Sequence, residues 1–156
     1  MLYRPYRPTD FAALYAIEEV CFLPPLRFGR RYMRHLVEAA DAATWIAEEA
    51  DRLAGFAIVE WAERIAYIQT LEVLPEHRGR GIGGEMLRLT EESARTAGAE
   101  LVWLHVDAEN DGAIRLYERQ GYRYESRAED YYGRGRAALI YAKRLEGGLD
   151  ISVSGE

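Results

Sequence analysis

The sequence predicts an α/β fold, a mixed central sheet with element order β-αα-βββ-α-β-α-ββ. Three observations carry this reading. Strand-like runs and helix-period segments interleave along the chain instead of grouping by type. The run "LVWLHV" (101–106), set between two helix-period segments, reads as a buried strand. The chain has 156 residues, 49% of them apolar and 29% charged, enough for one domain with a real core.

The elements follow in order. "LYRPYR" (2–7) alternates like a first strand. Thr9 or Asp10 can cap a helix over "FAALYAIEEVCF", with Leu14, Ile17 and Cys21 on one face. "LPP" (23–25) breaks that helix, and a second follows over about 28–40 with Tyr32, Met33, Leu36 and Val37 apolar. Next come the strand-like runs "ATWIAEE" (43–49), "RLAGFAIVEWA" (52–62) and "IAYIQTLEVL" (65–74), the first two joined by the short turn "ADR" (50–52). A helix over about 81–97 ends at Gly98, a suitable C-terminal cap. "NDGAIRLYERQG" (110–121) reads as a short helix, with Asn110 near its cap and Gly121 at its end. "YRYESRA" (122–128) and "RAALIYAKRL" (136–145) close the chain as a pair of strands. One domain is expected over 1–146, with a flexible tail over 147–156. No internal repeat or linker is visible.

Bulk properties narrow the function. A net charge of −6 argues against a general nucleic-acid binder and suits cationic partners such as amines. The single cysteine, Cys21, allows no internal disulfide and fits a reducing compartment. Three scattered histidines and one cysteine do not form a zinc pattern, so no metal is expected. No apolar run reaches the roughly 18 residues of a membrane span, and "MLYRPYRPTD" lacks a signal-peptide core. A soluble, cytoplasmic protein is expected, with no membrane partner.

The densest motif is "HRGRGIGGEM" (77–86), between a strand-like run and a helix. Glycines let backbone approach a ligand closely, and a helix start attracts anions. Gly79-x-Gly81-x-x-Gly84 matches the dinucleotide fingerprint, but "PEHR" (75–78) separates it from its strand and only about 70 residues follow. A triphosphate P-loop needs Gly-Lys-Ser/Thr, which "GIGGEM" lacks. An ordinary glycine-rich turn is the remaining plain reading.

The spacing Arg78-x-x-Gly81-x-Gly83 resembles the acetyl-CoA pyrophosphate loop of the GNAT superfamily of N-acetyltransferases. "TLEVLPEHRGRGIGGEML" resembles that family's central strand–turn–helix, and "NDGAIRLYERQGY" its Asn-x-x-Ala-x-x-Leu-Tyr-x-x-x-Gly-Phe/Tyr segment. The likeness covers residues 2–145. Within the superfamily it points to the N-terminal (Nα) acetyltransferases, including those of ribosomal proteins, through "IEEVCFLPP" (17–25), "YIQTLEV" (67–73) and "EDYYGRGRAALIYAKRL" (129–145). The last stretch departs from its pattern: Arg136 stands where an acidic residue usually precedes the alanine.

The resemblance implies a GNAT fold, acetyl-CoA as cosubstrate, and a set of site residues. Arg78, Gly79, Arg80, Gly81, Ile82, Gly83 and Gly84 would hold the diphosphate. The backbone of Leu71, Glu72 and Val73 would pair with the pantetheine arm, and Asn110 and Tyr117 would lie by the arm and thiol. Tyr117 would be the general acid, and His105 and Tyr67 the groups that take the amine proton. Taken alone, a lone strand histidine such as His105 is more often a packing residue; Tyr67 reads equally as a core aromatic on a strand, and Tyr117 has the alternative of an aromatic on the inner face of a short helix. Phe22, Leu23 and Pro24 (with Pro25) would shape the pocket for the first residue, and Tyr131 and Tyr132 its opposite wall. Strict alternation along 67–73 puts Tyr67 and Glu72 on opposite faces, so Glu72 is a base candidate only if a bulge intervenes.

An α-amine, with pKa about 8, is partly neutral at pH 7, whereas a lysine amine near 10.4 costs roughly 3 kcal/mol more to deprotonate. The expected acceptor is therefore a peptide or protein N-terminus. A small amine, amino acid or antibiotic is the alternative acceptor, and a non-catalytic acyl-CoA-binding module the alternative function. The protein is expected to act as a monomer or homodimer.

Overall fold

The computed structural model describes residues 1–145. Its elements are β1 (Leu2–Pro5), α1 (Phe11–Cys21), α2 (Arg30–Glu38), β2 (Ala42–Glu49), β3 (Arg52–Ala62), β4 (Ile65–Val73), α3 (Ile82–Thr96), β5 (Leu101–Asp107), α4 (Asp111–Arg119), β6 (Arg123–Gly133) and β7 (Arg136–Arg144). The order is the expected one. The seven strands form a single sheet, β1-β2-β3-β4-β5-β7-β6, in which β4 and β5 are parallel and every other neighbouring pair is antiparallel. The tail expected over 147–156 lies outside the described residues. Among the described residues no helix is long and apolar enough to cross a membrane.

Helices cover both faces, because each presents an apolar stripe at helical spacing. On one face Leu14 and Ile17 of α1 and Met33 and Leu36 of α2 pack on Ile46, Phe56 and Ile58. On the other, Leu87 and Ala94 of α3 and Tyr117 of α4 pack on Val59, Ile68, Val102 and Leu104. Two local differences from the sequence reading have physical causes. Asp10 does not cap α1 with its side chain. Its carboxylate instead accepts the Arg7 backbone N–H at 2.7 Å and two Arg4 N–H groups at 2.8 and 2.9 Å. Arg4 also donates to Glu48 at 2.7 Å, which ties β1 to β2 and to the start of α1. The second difference is β6, which runs on to Gly133 instead of ending at Ala128. Pairing with β7 lapses after Ala128 and resumes at Gly133↔Arg136.

The register of β4 against β3 matters most. Thr70 pairs with Ile58 but Ile68 pairs with Val59, so Gln69 is an extra residue with no partner of its own. This is a β-bulge, and it reverses the faces of the strand on either side of it. Before the bulge, Ile68 shares the α3 face with Val59. After it, Thr70 and Glu72 share the α1 face with Ile58 and Phe56. Tyr67, opposite Glu60, is on that same α1 face. Strict alternation therefore misplaces Glu72: Tyr67 and Glu72 point to one side of the sheet.

Gly55 of β3 lies beside this strand. A Cβ there would collide with the Glu72 carbonyl oxygen and press on Met86 Cε and Val73 Cα, both at 3.2 Å. Gly55→Ala is therefore expected to cost about 1–3 kcal/mol of stability. A lower urea midpoint in equilibrium unfolding would show it, and an unchanged midpoint would mean the strands part without cost.

Candidate active site

The site begins where two parallel strands separate. β4 pairs with β5 only from Ile65↔Leu101 to Ile68↔Leu104. Beyond that, β5 keeps its pairing with β7 as far as Asp107↔Ala138. The edge of β4 from Gln69 to Val73 is thus left unpaired on the β5 side. A cleft of about 630 Å³ opens there, lined by Leu71, Glu72 and Val73, by the glycine-rich turn, and by Asn110 and Tyr117 of the next helix.

The turn itself is shaped by two glycines with left-handed backbone, Gly79 at φ 78° and Gly81 at φ 84°. Gly81 precedes α3, whose start has no side-chain cap. The first helical bond runs from the Glu85 N–H to the Gly81 carbonyl at 3.2 Å, so the amides before Glu85 are not consumed by that helix. Gly83 and Gly84 are small for another reason. A Cβ on Gly83 would sit 3.0 Å from Leu116 Cδ2, and one on Gly84 3.2 Å from Gln120 Nε2, because α4 packs close against the start of α3. Ile82 is buried in the core, so only its backbone belongs to the turn. The two arginines are held by protein groups. Arg78 donates to the Val73 carbonyl at 2.8 Å, and Arg80 pairs with Glu49 at 3.0 Å.

α4 contributes the next two expected residues. Asn110 Oδ1 accepts the Ala113 N–H at 3.1 Å, so its side chain is the cap of α4. Tyr117 is buried with its ring edge-on to Tyr122 at 5.7 Å. Burial, with Tyr132 and Glu72 nearby, raises its hydroxyl above the usual tyrosine range, which keeps it protonated.

A second cluster lies on the α1 face, where β4 and β5 are still paired. The Tyr67 hydroxyl is 2.8 Å from His105 Nδ1. Tyr131, on the β6–β7 hairpin, stacks on the imidazole at 4.1 Å and 11°, and Tyr132 packs edge-on to Tyr131 at 4.9 Å. Trp103 packs edge-on to Tyr67 at 4.6 Å. Burial lowers the His105 pKa below its ordinary value and raises that of Tyr67 far above its own, so both are neutral at pH 7. Three residues that the sequence placed on different elements, Tyr67, His105 and Tyr131, thus form one contact group.

The expected acceptor loop is divided. Phe22 lines the cleft, whereas Leu23 is 71% exposed. Pro25 Cγ is 3.7 Å from the Cβ position of Gly133, so this loop meets the hairpin that carries Tyr131 and Tyr132. Arg136, the departure from the expected pattern, donates to Asp107 at 2.7 and 3.1 Å and fastens the start of β7 to the end of β5. Sequence reading missed the bulge residue Gln69, whose amide donates to Glu60 opposite Tyr67. It also missed Glu18, which is buried on α1. The available signal for Glu18 was its spacing of four residues from Leu14, which puts a carboxyl on the apolar face of α1.

Residues 11–122 match the model of the Acetyltransferase (GNAT) family. Streptothricin acetyltransferase of Streptomyces lavendulae is 43% identical over 91 residues, which are 56% of this chain and 48% of that protein. The ribosomal protein bS18-alanine N-acetyltransferase of Salmonella typhimurium is 34% identical over 128 residues, 80% of this chain and 82% of its own length. The crystal structure of Arabidopsis thaliana NAA60 in complex with a bisubstrate analogue is similar at TM-score 0.81 and 25% identity, covering 94% of this chain and 98% of that one. The chain spans about half the length of the Streptomyces relative and less than two thirds of several others. With the family model matched over most of its residues and the Salmonella relative matched along most of both chains, this chain belongs to the GNAT family of N-acetyltransferases.

Proposed function

We propose that the protein transfers the acetyl group of acetyl-CoA to the α-amine of a peptide or protein N-terminus. The observation that carries this reading is the Tyr67–His105–Tyr131 group beside the strand separation. The residues present fit the cosubstrate. Uncapped amides at the start of α3 and the left-handed backbone at Gly79 and Gly81 suit a diphosphate. The free edge of β4 at Leu71–Val73 can pair with the pantetheine amides as an added strand would. Acetyl-CoA supplies the activated acyl carbonyl, and the chain's own residues move the protons.

The buried Tyr67 phenol does not ionise on its own. It can accept the amine proton on oxygen, directly or through a water, as its own proton passes to His105 Nδ1. Depression of the His105 pKa keeps the imidazole ready to receive that proton at pH 7, while making it a weaker base. Tyr117, kept protonated by burial, is the donor for the departing thiolate. This sparse, neutral proton path suits an amine of pKa about 8 better than one near 10.4. The similarity to a ribosomal-protein alanine N-acetyltransferase supports the peptide acceptor.

A small amine is the second reading. It is favoured by the streptothricin acetyltransferase relative.

Three outcomes test the reading. Gly81→Val puts a branched side chain at φ 84°, a strain of about 1–3 kcal/mol. Calorimetry should show acetyl-CoA affinity falling about tenfold or more in the folded variant, and unchanged affinity would remove the turn from the binding site. The rate should fall on acidification as His105 charges. Because burial lowers its pKa below 6.5, the acid limb of kcat/KM should lie below that value. Tyr131→Ala, by exposing the ring, should move the limb up toward the ordinary histidine range. Finally, with free peptides and small amines offered together, mass spectrometry should find acetate on peptide α-amines. Modification of only small amines would select the second reading, and modification of only lysine side chains would reject both.

A further inference from the structure

Two acids lie beneath the cleft outside this proton path. Glu18 of α1 and Glu72 of β4 are 1% and 3% exposed, both on the face where α1 packs over Phe56 and Ile58, and after burial Glu18 is the group that most raises the Glu72 carboxyl. Each has one oxygen accounted for. Glu18 Oε2 accepts the Phe28 backbone N–H at 2.8 Å, and Glu72 Oε2 accepts the Thr70 hydroxyl at 2.6 Å. The other oxygen of each, Oε1, is shut off from water and has no donor. Carboxylates only accept hydrogen bonds, so two of them can bond only if one carries a proton.

The surroundings offer no substitute for that proton. From α1 comes the Cys21 thiol, pushed up to about 11 by burial and by both acids. Arg78 reaches Cys21 Sγ at 3.6 Å, and among the described residues no cation forms an ion pair with either carboxyl. α4 presents the Tyr117 hydroxyl, itself raised by burial and by Glu72. β3 presents the apolar Phe56 directly opposite Glu72. The cost of burying two charges with no cation between them far exceeds that of burying one shared proton.

The pair also has a mechanical connection. Phe28 ends the loop that begins at Phe22, and both of its backbone groups are taken: its N–H by Glu18, its carbonyl by the Tyr15 hydroxyl at 2.9 Å. Arg27 closes the same loop back on α1 through the Phe22 and Glu19 carbonyls at 3.0 and 3.1 Å. We propose that Glu18 and Glu72 share one proton, and that the pair fastens the Phe22–Phe28 loop beside the cleft, making Glu18 a positioning residue for the acceptor. The acceptor part rests on the reading of that loop as the pocket for the acceptor's first residue. Burial, then Glu18, raise the Glu72 carboxyl well above the usual carboxylate range. The clamp is therefore present at neutral pH and is lost as pH rises through that raised value, when two ionised carboxylates repel.

Hydrogen exchange at the Phe28 amide, followed by NMR on the full chain, tests this without any acceptor. In the native protein the amide should be protected at neutral pH, and its protection should fall at least about tenfold at alkaline pH after correction for intrinsic exchange. Glu18→Gln supplies its own donor to Glu72 and should keep protection across the range. Glu18→Leu should lose about tenfold at neutral pH, and it should raise acceptor KM by a similar factor with kcat and acetyl-CoA affinity within about twofold. Glu18→Gln should restore that KM. Carbon-13 titration showing both carboxyls ionised at pH 7 would overturn the shared proton. Unchanged Phe28 protection in Glu18→Leu would overturn the clamp, and a loosened Phe28 with unchanged acceptor KM would remove Glu18 as a positioning residue. If Glu18→Leu does not fold, Glu18→Gln and the native titration decide. A chain that acetylates no amine fails the functional reading but still answers the exchange and titration measurements.

Discussion

The parting of β4 from β5 after Ile68 is the constraint on which the rest depends. A strand edge with free N–H and C=O groups is ordinarily a liability on a surface. Here it lies inside the molecule, and the surrounding elements keep it open. β5 cannot follow β4, because β7 holds it through Asp107 and Arg136 braces that end of the strand. α3 and α4 close the far side, packed tightly enough that Gly83 and Gly84 have little room for a side chain. The bulge at Gln69 falls just past the last β4–β5 pair, and it turns Glu72 and Thr70 toward α1 while Leu71 and Val73 pack toward α3.

The order of elements was legible because each carries its own period, and the two closing strands were correctly paired. The glycine-rich turn was legible because its positive φ leaves a mark in the sequence as glycine. The bulge was not, because a two-against-one register is a property of β4 and β3 together and leaves no mark in β4 alone. Reading β4 as strictly alternating therefore put Glu72 on the wrong face. The extension of β6 through Tyr131 and Tyr132 was missed for a related reason: "EDYYG" is irregularly paired, and only its closure on Arg136 defines it as strand. Asn110 was recognised by position, but its side chain proves to be committed to capping α4.

The tyrosine and histidine groups of the site carry little charge for an acidic protein. Tyr67, Tyr117 and Tyr132 are all held protonated by burial, and His105 is held neutral. A relay through a neutral hydroxyl to a neutral imidazole leaves the positive charge on one group only, the imidazole, instead of on each group in turn. The deep carboxyls, Glu18 and Glu72, would break this rule if both were ionised, and a shared proton between them preserves it. Glu60, bonded to Gln69 and only partly buried, is the acid left facing outward beside Tyr67.

The two ends of the cleft are built by different means, and this governs what each reveals. At the turn the chain offers backbone amides, with two left-handed glycines and an uncapped helix start, so what counts there is where side chains are absent. At the other end the fold gathers side chains from β4, β5, the β6–β7 hairpin and the loop after α1. That end is assembled from residues far apart in sequence, so that a change at a loop residue such as Leu23 or Pro25 would leave the turn untouched. Membership of the family is therefore legible locally in the chain, whereas the Tyr67–His105–Tyr131 group exists only in contacts among separate elements.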